Sequence, residues 1–364
     1  MADDADNTLA KKLVENLQGD LRALCSETKK KCPNIKGVSL DLLYSFFRCA
    51  HIILPFLLGC ESKQPRLVQI SLSGLHRLVS FHALNEVASV QLVDELWSLM
   101  ESEIEELRIL QTVALLISPE RVVRGEALAK CLVICFRLNF TKDPTVVNTA
   151  SATVRQLVCQ VFERLRLEKP RELKINRARP PQAVSPFVSD AIMLFQDLCR
   201  LINGEPPFWL KNITEMTRTL GLDILEMILV QSSTEFLKRP EFTFLIKDQV
   251  CPMLIRLFSN MKHSAGQQHQ MYAHPPPEVV SDKPYFPVTL RLLRLMGLLI
   301  TRYYVVLTTE CEIFLSLLIR FLDEEKLLWQ RALAIELIEK IASYPELINL
   351  LAVFDAVGKN DNLL

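Results

Sequence analysis

The chain has 364 residues, 49% of them apolar, and carries 42 basic against 42 acidic side chains. A neutral chain has no overall field to attract nucleic acid. With only 10 glycines it also lacks the material for Gly-rich phosphate loops or a turn-dense β fold.

The start, MADDADNTLAKK, is acidic and polar and does not read as a signal peptide. Leu9, Leu13, Leu17, Leu21 and Leu24 then recur at spacings of four and three, the stripe of an amphipathic helix, with Lys12, Glu15, Asp20 and Arg22 opposite. Lys29, Lys30 and Lys31 close this helix, where positive charge suits the dipole. Val38 to Cys60 is the most membrane-like run. Asp41, Arg48, His51 and Pro55 interrupt it, and a spanning helix needs about 20 apolar residues, so it reads as a core helix.

Helical spacing continues over about 65–80, 86–101, 103–117, 124–139 and 144–168, and Asp143-Pro144 supplies a cap and a first-turn proline for the last. Residues 169–186 form a basic, Pro-rich linker that includes Arg177 and Arg179. It reads as solvated, with contact to an anionic bilayer through these arginines and Lys29–Lys31 as the second reading. A further helical block follows, then an irregular stretch at 259–287 holding His263, His269 and His274, then two or three long helices. The histidine spacing does not match zinc ligation and no cysteine accompanies it. The fold class expected is all-α, an armadillo- or HEAT-like stack of helical hairpins, with domains at 1–168 and 187–364. No crisp repeat motif marks the units.

The ten cysteines are scattered among Leu, Val and Phe, without CxxC, and suit buried thiols in a reducing compartment. Cys131 and Cys135 fall on one apolar face. In TECEIFLSLLIRFL (309–322), Thr309 is expected as N-cap with Glu312 returning to it as a capping box. Cys311 shares an apolar row with Leu315, Leu318 and Leu322, and Glu312, Ser316, Arg320 and Asp323 form a polar stripe. Glu310 and Glu312 then favour the helix dipole and carry no catalytic or metal role. No GxSxG or HExxH organises a catalytic centre, and no cofactor is expected.

Several longer stretches carry a resemblance. KKLVENLQGDLRALCSETKKKCP (11–33), CFRLNFTKDPTVVNTASATVRQLVCQVFERL (135–165), DAIMLFQDLCRLIN (190–203), KPYFPVTLRLLRLMGLLI (283–300) and ECEIFLSLLIRFLDEEKLLWQRALAIELI (310–338) resemble the N-terminal part of the Mon-two family. That family comprises Golgi-associated relatives of the large Arf exchange factors of the Sec-seven type. The resemblance implies a dimerisation and cyclophilin-binding (DCB) domain followed by a homology-upstream (HUS) domain, both all-helical. It implies a non-enzymatic scaffold in endosome-to-Golgi traffic, peripheral on trans-Golgi and endosomal membranes. Its partners would be an Arf-like small GTPase, further copies of itself and, through the full-length protein, Dopey-type and flippase proteins. VSLDLLYSFFRCAHII (38–53) departs from the family's longer helical segment. The family's homology-upstream box is reduced to Phe354-Asp355. On this reading Asp190 and Asp197 lie on the polar side of their helix with Phe195 and Cys199 inside, while Phe354 anchors and Asp355 caps or pairs with the preceding helices. Glu310, Glu312, Arg320 and Asp323 complete the binding candidates. An armadillo-type transport or cargo adaptor outside Golgi traffic is the alternative, because fold does not fix function.

Overall fold

Leu17, Leu21 and Leu24 of the first apolar stripe are each at most 1% exposed, so the helix they mark is held by its leucine face. The computed structural model describes residues 2–28, 33–44, 52–117, 123–168, 185–213, 216–260, 286–345 and 347. Among these every regular element is a helix or helical turn, as the all-α expectation requires. The Lys29–Lys31 run, both basic linker arginines, the three clustered histidines and Phe354-Asp355 lie outside the described residues.

The described chain divides into two compact units. The first holds the residues up to Arg164 with 185–190 and 208–213, and the second holds 165–168, 191–207 and the residues from Met216 on.

The first unit contains α1 (Ala2–Glu27), α2 (Pro33–Tyr44), α3 (Leu54–Glu61), α4 (Pro65–Ser80), α5 (Glu86–Glu101), α6 (Glu106–Leu116), α7 (Gly125–Leu138) and α8 (Pro144–Glu163). The run expected as one core helix at 38–60 is therefore two helices, α2 and α3. Pro55 sits in the first turn of α3, where a proline is tolerated, and so suits a helix start there. Asp143 caps α8 as its sequence requires, accepting from the Thr145 N–H at 2.8 Å.

Hairpins α3–α4, α5–α6 and α7–α8 stack so that α3, α5 and α7 form one row and α4, α6 and α8 the other. Each interior helix thus meets layers on both sides. In α7, Ala127, Leu128, Ala129, Leu132, Val133, Ile134, Phe136 and Leu138 are all buried, along with Cys131 and Cys135. A helix apolar nearly all round belongs between layers, and each large side chain there contributes about 1.5–3 kcal/mol.

The period absent from the sequence identity is visible in the charges. Arg124 on Glu86 spans 38 residues, Lys130 on Asp94 spans 36, and Arg137 reaches Glu101 at 3.6 Å. These three ion pairs run in the same order along α5 and α7, so the two helices lie parallel, one layer apart, as in a solenoid.

The second unit takes α9 (Pro186–Ile202) from Ala191 onward, then α10 (Arg218–Gln231), α11 (Ser233–Lys238) and α12 (Pro240–Leu245). A single π-helical turn (Ile246–Val250) leads into α13 (Cys251–Asn260), and α14 (Phe286–Tyr303), α15 (Thr308–Arg320) and α16 (Leu328–Ala342) follow. Arg291 pairs with Asp223 at 2.9 Å, and the Tyr303 hydroxyl donates to the Leu229 carbonyl at 2.7 Å. Those contacts keep α10 and α14 parallel. Phe286 meets Trp329 edge-on at 5.2 Å near the start of α14 and α16, and Gly297 lies against Leu337 further along. The three helices α10, α14 and α16 therefore form one parallel row. Lys247 with Glu310 (3.3 Å) and Phe258 with Phe321 (5.4 Å) set the α12–α13 segment parallel to α15 in the second row.

The capping box expected at Thr309 and Glu312 is not formed. The helix begins one residue earlier, at Thr308, after Leu307, and no side chain caps it. Leu307 is fully buried and follows directly on the 3-10 turn Tyr304–Val306. Its carbonyl already accepts from the Cys311 N–H at 2.8 Å, so packing of the leucine fixes the start. At the start of α16 the buried Gln330 accepts from the Leu327 N–H at 3.2 Å. Leucine offers no acceptor in return, so only half of a capping box exists there.

Candidate functional site

The residues singled out on α9 are core rather than surface. Asp190 is 6% exposed and Asp197 1%, against the expectation that both would lie on a polar side. Phe195 and Cys199 are inside as expected. Phe195 meets Phe236 edge-on at 5.7 Å, and Phe236 stacks on Phe242 at 4.5 Å. All three rings are fully buried and none is accessible to a partner.

Asp190 is buried for a reason that lies far off in the chain. Both its oxygens accept from the Gly125 N–H at 3.2 Å, so a carboxylate supplied by α9 caps the N-terminus of α7, where the helix dipole favours it. Arg124, the residue in the N-cap position, makes no side-chain cap. Gly125 itself has φ +59°, a left-handed conformation that a β-carbon would strain. Burial raises the Asp190 carboxyl above the usual carboxylate range, and the Gly125 N–H, Arg164 and Arg124 pull the other way. The buried Arg164 guanidinium donates to the Ile117 carbonyl at 2.9 Å and to the Val123 carbonyl at 3.2 Å, and it lies over the Phe187 ring at 5.9 Å. Cation and anion thus hold the two ends of the α6–α7 connection. These contacts all lie within the first unit and give both residues a structural task.

The α15 candidates divide. Glu310 is half-withdrawn, its side chain 14% exposed and paired with Lys247. Glu312, Ser316 and Arg320 are exposed, as the polar stripe requires, and Asp323, exposed as well, falls in the turn after α15 rather than on it. Ile313 and Ile319 stand beside them at 41% and 63% exposure. This mixed apolar and charged face is open to a partner.

The deeply buried thiols are held protonated. Cys131, Cys199 and Cys311 are buried, and burial pushes each of them up to about 12. A thiol held protonated is neither nucleophile nor ligand. Among the described residues no group of three His, Cys, Asp or Glu side chains is placed to hold a metal ion, and no helix is long and apolar enough to cross a membrane.

Sequence reasoning missed one feature, a cleft of about 400 Å³ along α14, walled by α10 and α16. Leu290, Leu293, Leu333 and Leu337 give it apolar lining, and Gly297 lets α16 come close, since a β-carbon there would sit 2.4 Å from the Leu337 methyl. Arg294, Arg302 and Lys340 stand on its rim with Glu226 and Glu336. Burial raises the Glu226 carboxyl, and Arg294 offsets part of that. The residues come from three helices distant in sequence, so no local motif announces the cleft.

Comparison with known proteins adds to this geometry. Residues 8–169 match the family model described as the Mon2/Sec7/BIG1-like dimerisation and cyclophilin-binding domain. Residues 187–362 match the Mon2/Sec7/BIG1-like HUS domain. The chain belongs to the Mon2/Sec7/BIG1-like family. Protein MON2 homolog of Homo sapiens is 43% identical over 93% of this chain and 21% of the relative. Monensin-resistant homolog 2 of Caenorhabditis elegans is 43% identical over 93% of the chain and 23% of its own length. Protein MON2 of Saccharomyces cerevisiae is 28% identical over 93% of the chain and 21% of the relative. The chain therefore spans about a fifth of the curated Mon2 relatives it matches.

Proposed function

We propose that this chain is the helical platform of a non-enzymatic trafficking scaffold. It would present the outer faces of stacked helices to an Arf-like small GTPase and to partner proteins in endosome-to-Golgi transport. The observation that supports this reading most is the consecutive match of the DCB and HUS family models along a chain whose two units are stacks of parallel helix rows. Asp190, Asp197 and the buried thiols are absorbed by packing and capping, which leaves exposed faces such as that of Glu312, Ser316 and Arg320 on α15 as the working surface. A rigid array of this kind recognises partners by holding side chains in register, at little entropic cost on binding.

Self-association fits the same reading, since the first family model is named for dimerisation. Peripheral residence on trans-Golgi and endosomal membranes, and contact with Dopey-type and flippase proteins through the longer protein, complete the proposal.

Pull-down with Arf-like proteins loaded with GTP or GDP is the test. Retention of the GTP form alone is the expected result. Equal retention of both forms, or of neither, would favour a transport adaptor outside Golgi traffic. Light scattering after size exclusion reads self-association separately, and imaging of a tagged copy reads Golgi residence.

A further inference from the structure

The geometry points to the cleft along α14 as a docking groove for an acidic amphipathic helix of a partner protein, with an apolar side chain against Leu290 and Leu337 and carboxylates over Arg294 and Lys340.

Four features of the groove carry this. Its lining from Leu290 to Arg302 follows α14 for about 18 Å at 1.5 Å per residue, the length of roughly three helical turns. Its floor is apolar and its rim charged, the division that a helix-in-groove interface uses. The rim carries three cations to two acids, and one of those acids, Glu226, is half-buried among Arg294, Arg291 and Lys340. Finally, two of the rim cations, Arg294 and Lys340, act on Glu226 at longer range without forming a close ion pair among the described residues. Arg291, Arg256, Lys247 and Lys238 in the same unit are in ion pairs, whereas no ion pair among the described residues uses the exposed Arg294 or Lys340. Arg302 donates to the Val230 carbonyl at 2.9 Å and keeps its charge at the mouth. Charge complementarity therefore selects an acidic ligand, and the apolar floor selects one with a leucine-type face.

The probe is a fluorescein-labelled synthetic helix of ~16 residues, about 24 Å long, with paired leucines flanked by glutamates. A counterpart carries lysines at the glutamate positions. Fluorescence anisotropy against the whole chain is read at low and high salt. Saturable, salt-weakened binding of the acidic helix is expected, reduced at least about tenfold by Arg294→Glu with Lys340→Glu, as losing close charge pairs requires. Arg256→Glu, which changes net charge away from the groove, should leave binding within about twofold. Both groove positions are exposed, so folding is checked by circular dichroism, and Arg294→Gln with Lys340→Gln gives a gentler second variant with a smaller loss in the same direction. Failure of the acidic helix to saturate overturns the inference. So does equal binding of the lysine helix, an equal loss in Arg256→Glu, or retention on anionic vesicles that competes with the peptide and is abolished by the same two substitutions.

Discussion

Arg239 is 2% exposed, and its guanidinium donates to the Leu165 carbonyl at 2.7 Å and to the Glu168 carbonyl at 2.6 Å. A buried cation spent on backbone carbonyls has no substrate to meet. Its value is that it satisfies the end of the 3-10 turn Arg164–Leu167, where no helix continues. Arg239→Ala should lower stability by roughly 3 kcal/mol in urea unfolding, because one buried and one part-buried carbonyl lose their donor and a void opens. Arg239→Lys should recover only part, since an ammonium lacks the planar fork.

Glu95 gives the same logic in titration. Burial first, and then the neighbouring Glu61, raise its carboxyl from 4.5 to about 7, with Lys63 opposing. The folded form then binds the proton more tightly than the unfolded form. The resulting penalty is absent below about pH 4.5, grows as pH rises, and is complete above about 7. Glu95→Gln should accordingly be more stable than the parent at pH 8, by about 1–2 kcal/mol once solvent screening of this half-exposed group is allowed for. The gain should vanish near pH 4.5. A gain that grew on acidification would contradict the assignment.

At the scale of the element, the rows are held by apolar contact and registered by charge. The Glu86–Arg124, Asp94–Lys130 and Glu101–Arg137 pairs between α5 and α7 are largely exposed. Exposed pairs contribute about 0.2–1 kcal/mol each. A double-mutant cycle on Asp94 and Lys130 should therefore give a coupling below about 1 kcal/mol that fades at high salt. Truncating Leu132 of α7 should cost about 2–5 kcal/mol in the same unfolding assay.

Element boundaries were legible where a local signal decides them. The Asp143-Pro144 start of α8 and the spans of α4 and α5 follow from caps and spacing alone. Where a distant residue decides, the sequence misleads. Asp190 looks like a solvent-facing acid until Gly125 and Arg164 are seen around it. The start of α15 looks capped until Leu307 is seen buried. The stacking period of 36–38 residues is written in charge pairs rather than in repeated words, so no internal alignment reveals it.

For the whole molecule, the account places function on the outside of the helix rows. The exposed α15 face was readable in advance, because the stripe Glu312, Ser316 and Arg320 is set by one helix's own periodicity. The α14 cleft was not, because three helices build it. Ile319→Glu adds charge at a position already 63% exposed, so it should change stability by less than about 0.5 kcal/mol. It should still weaken any partner that uses this face. Both effects are read on one sample by thermal unfolding and pull-down.

The most direct test of the scaffold claim is amide hydrogen exchange of the chain alone, with a GDP-loaded Arf-like protein, and with the GTP-loaded form. The account predicts new protection only with GTP, in helices whose faces are exposed in the free chain. The buried clusters around Arg164, Asp190 and Cys311 should keep the exchange they show alone. Protection that ignores the nucleotide, or opening of those buried clusters on binding, would contradict it.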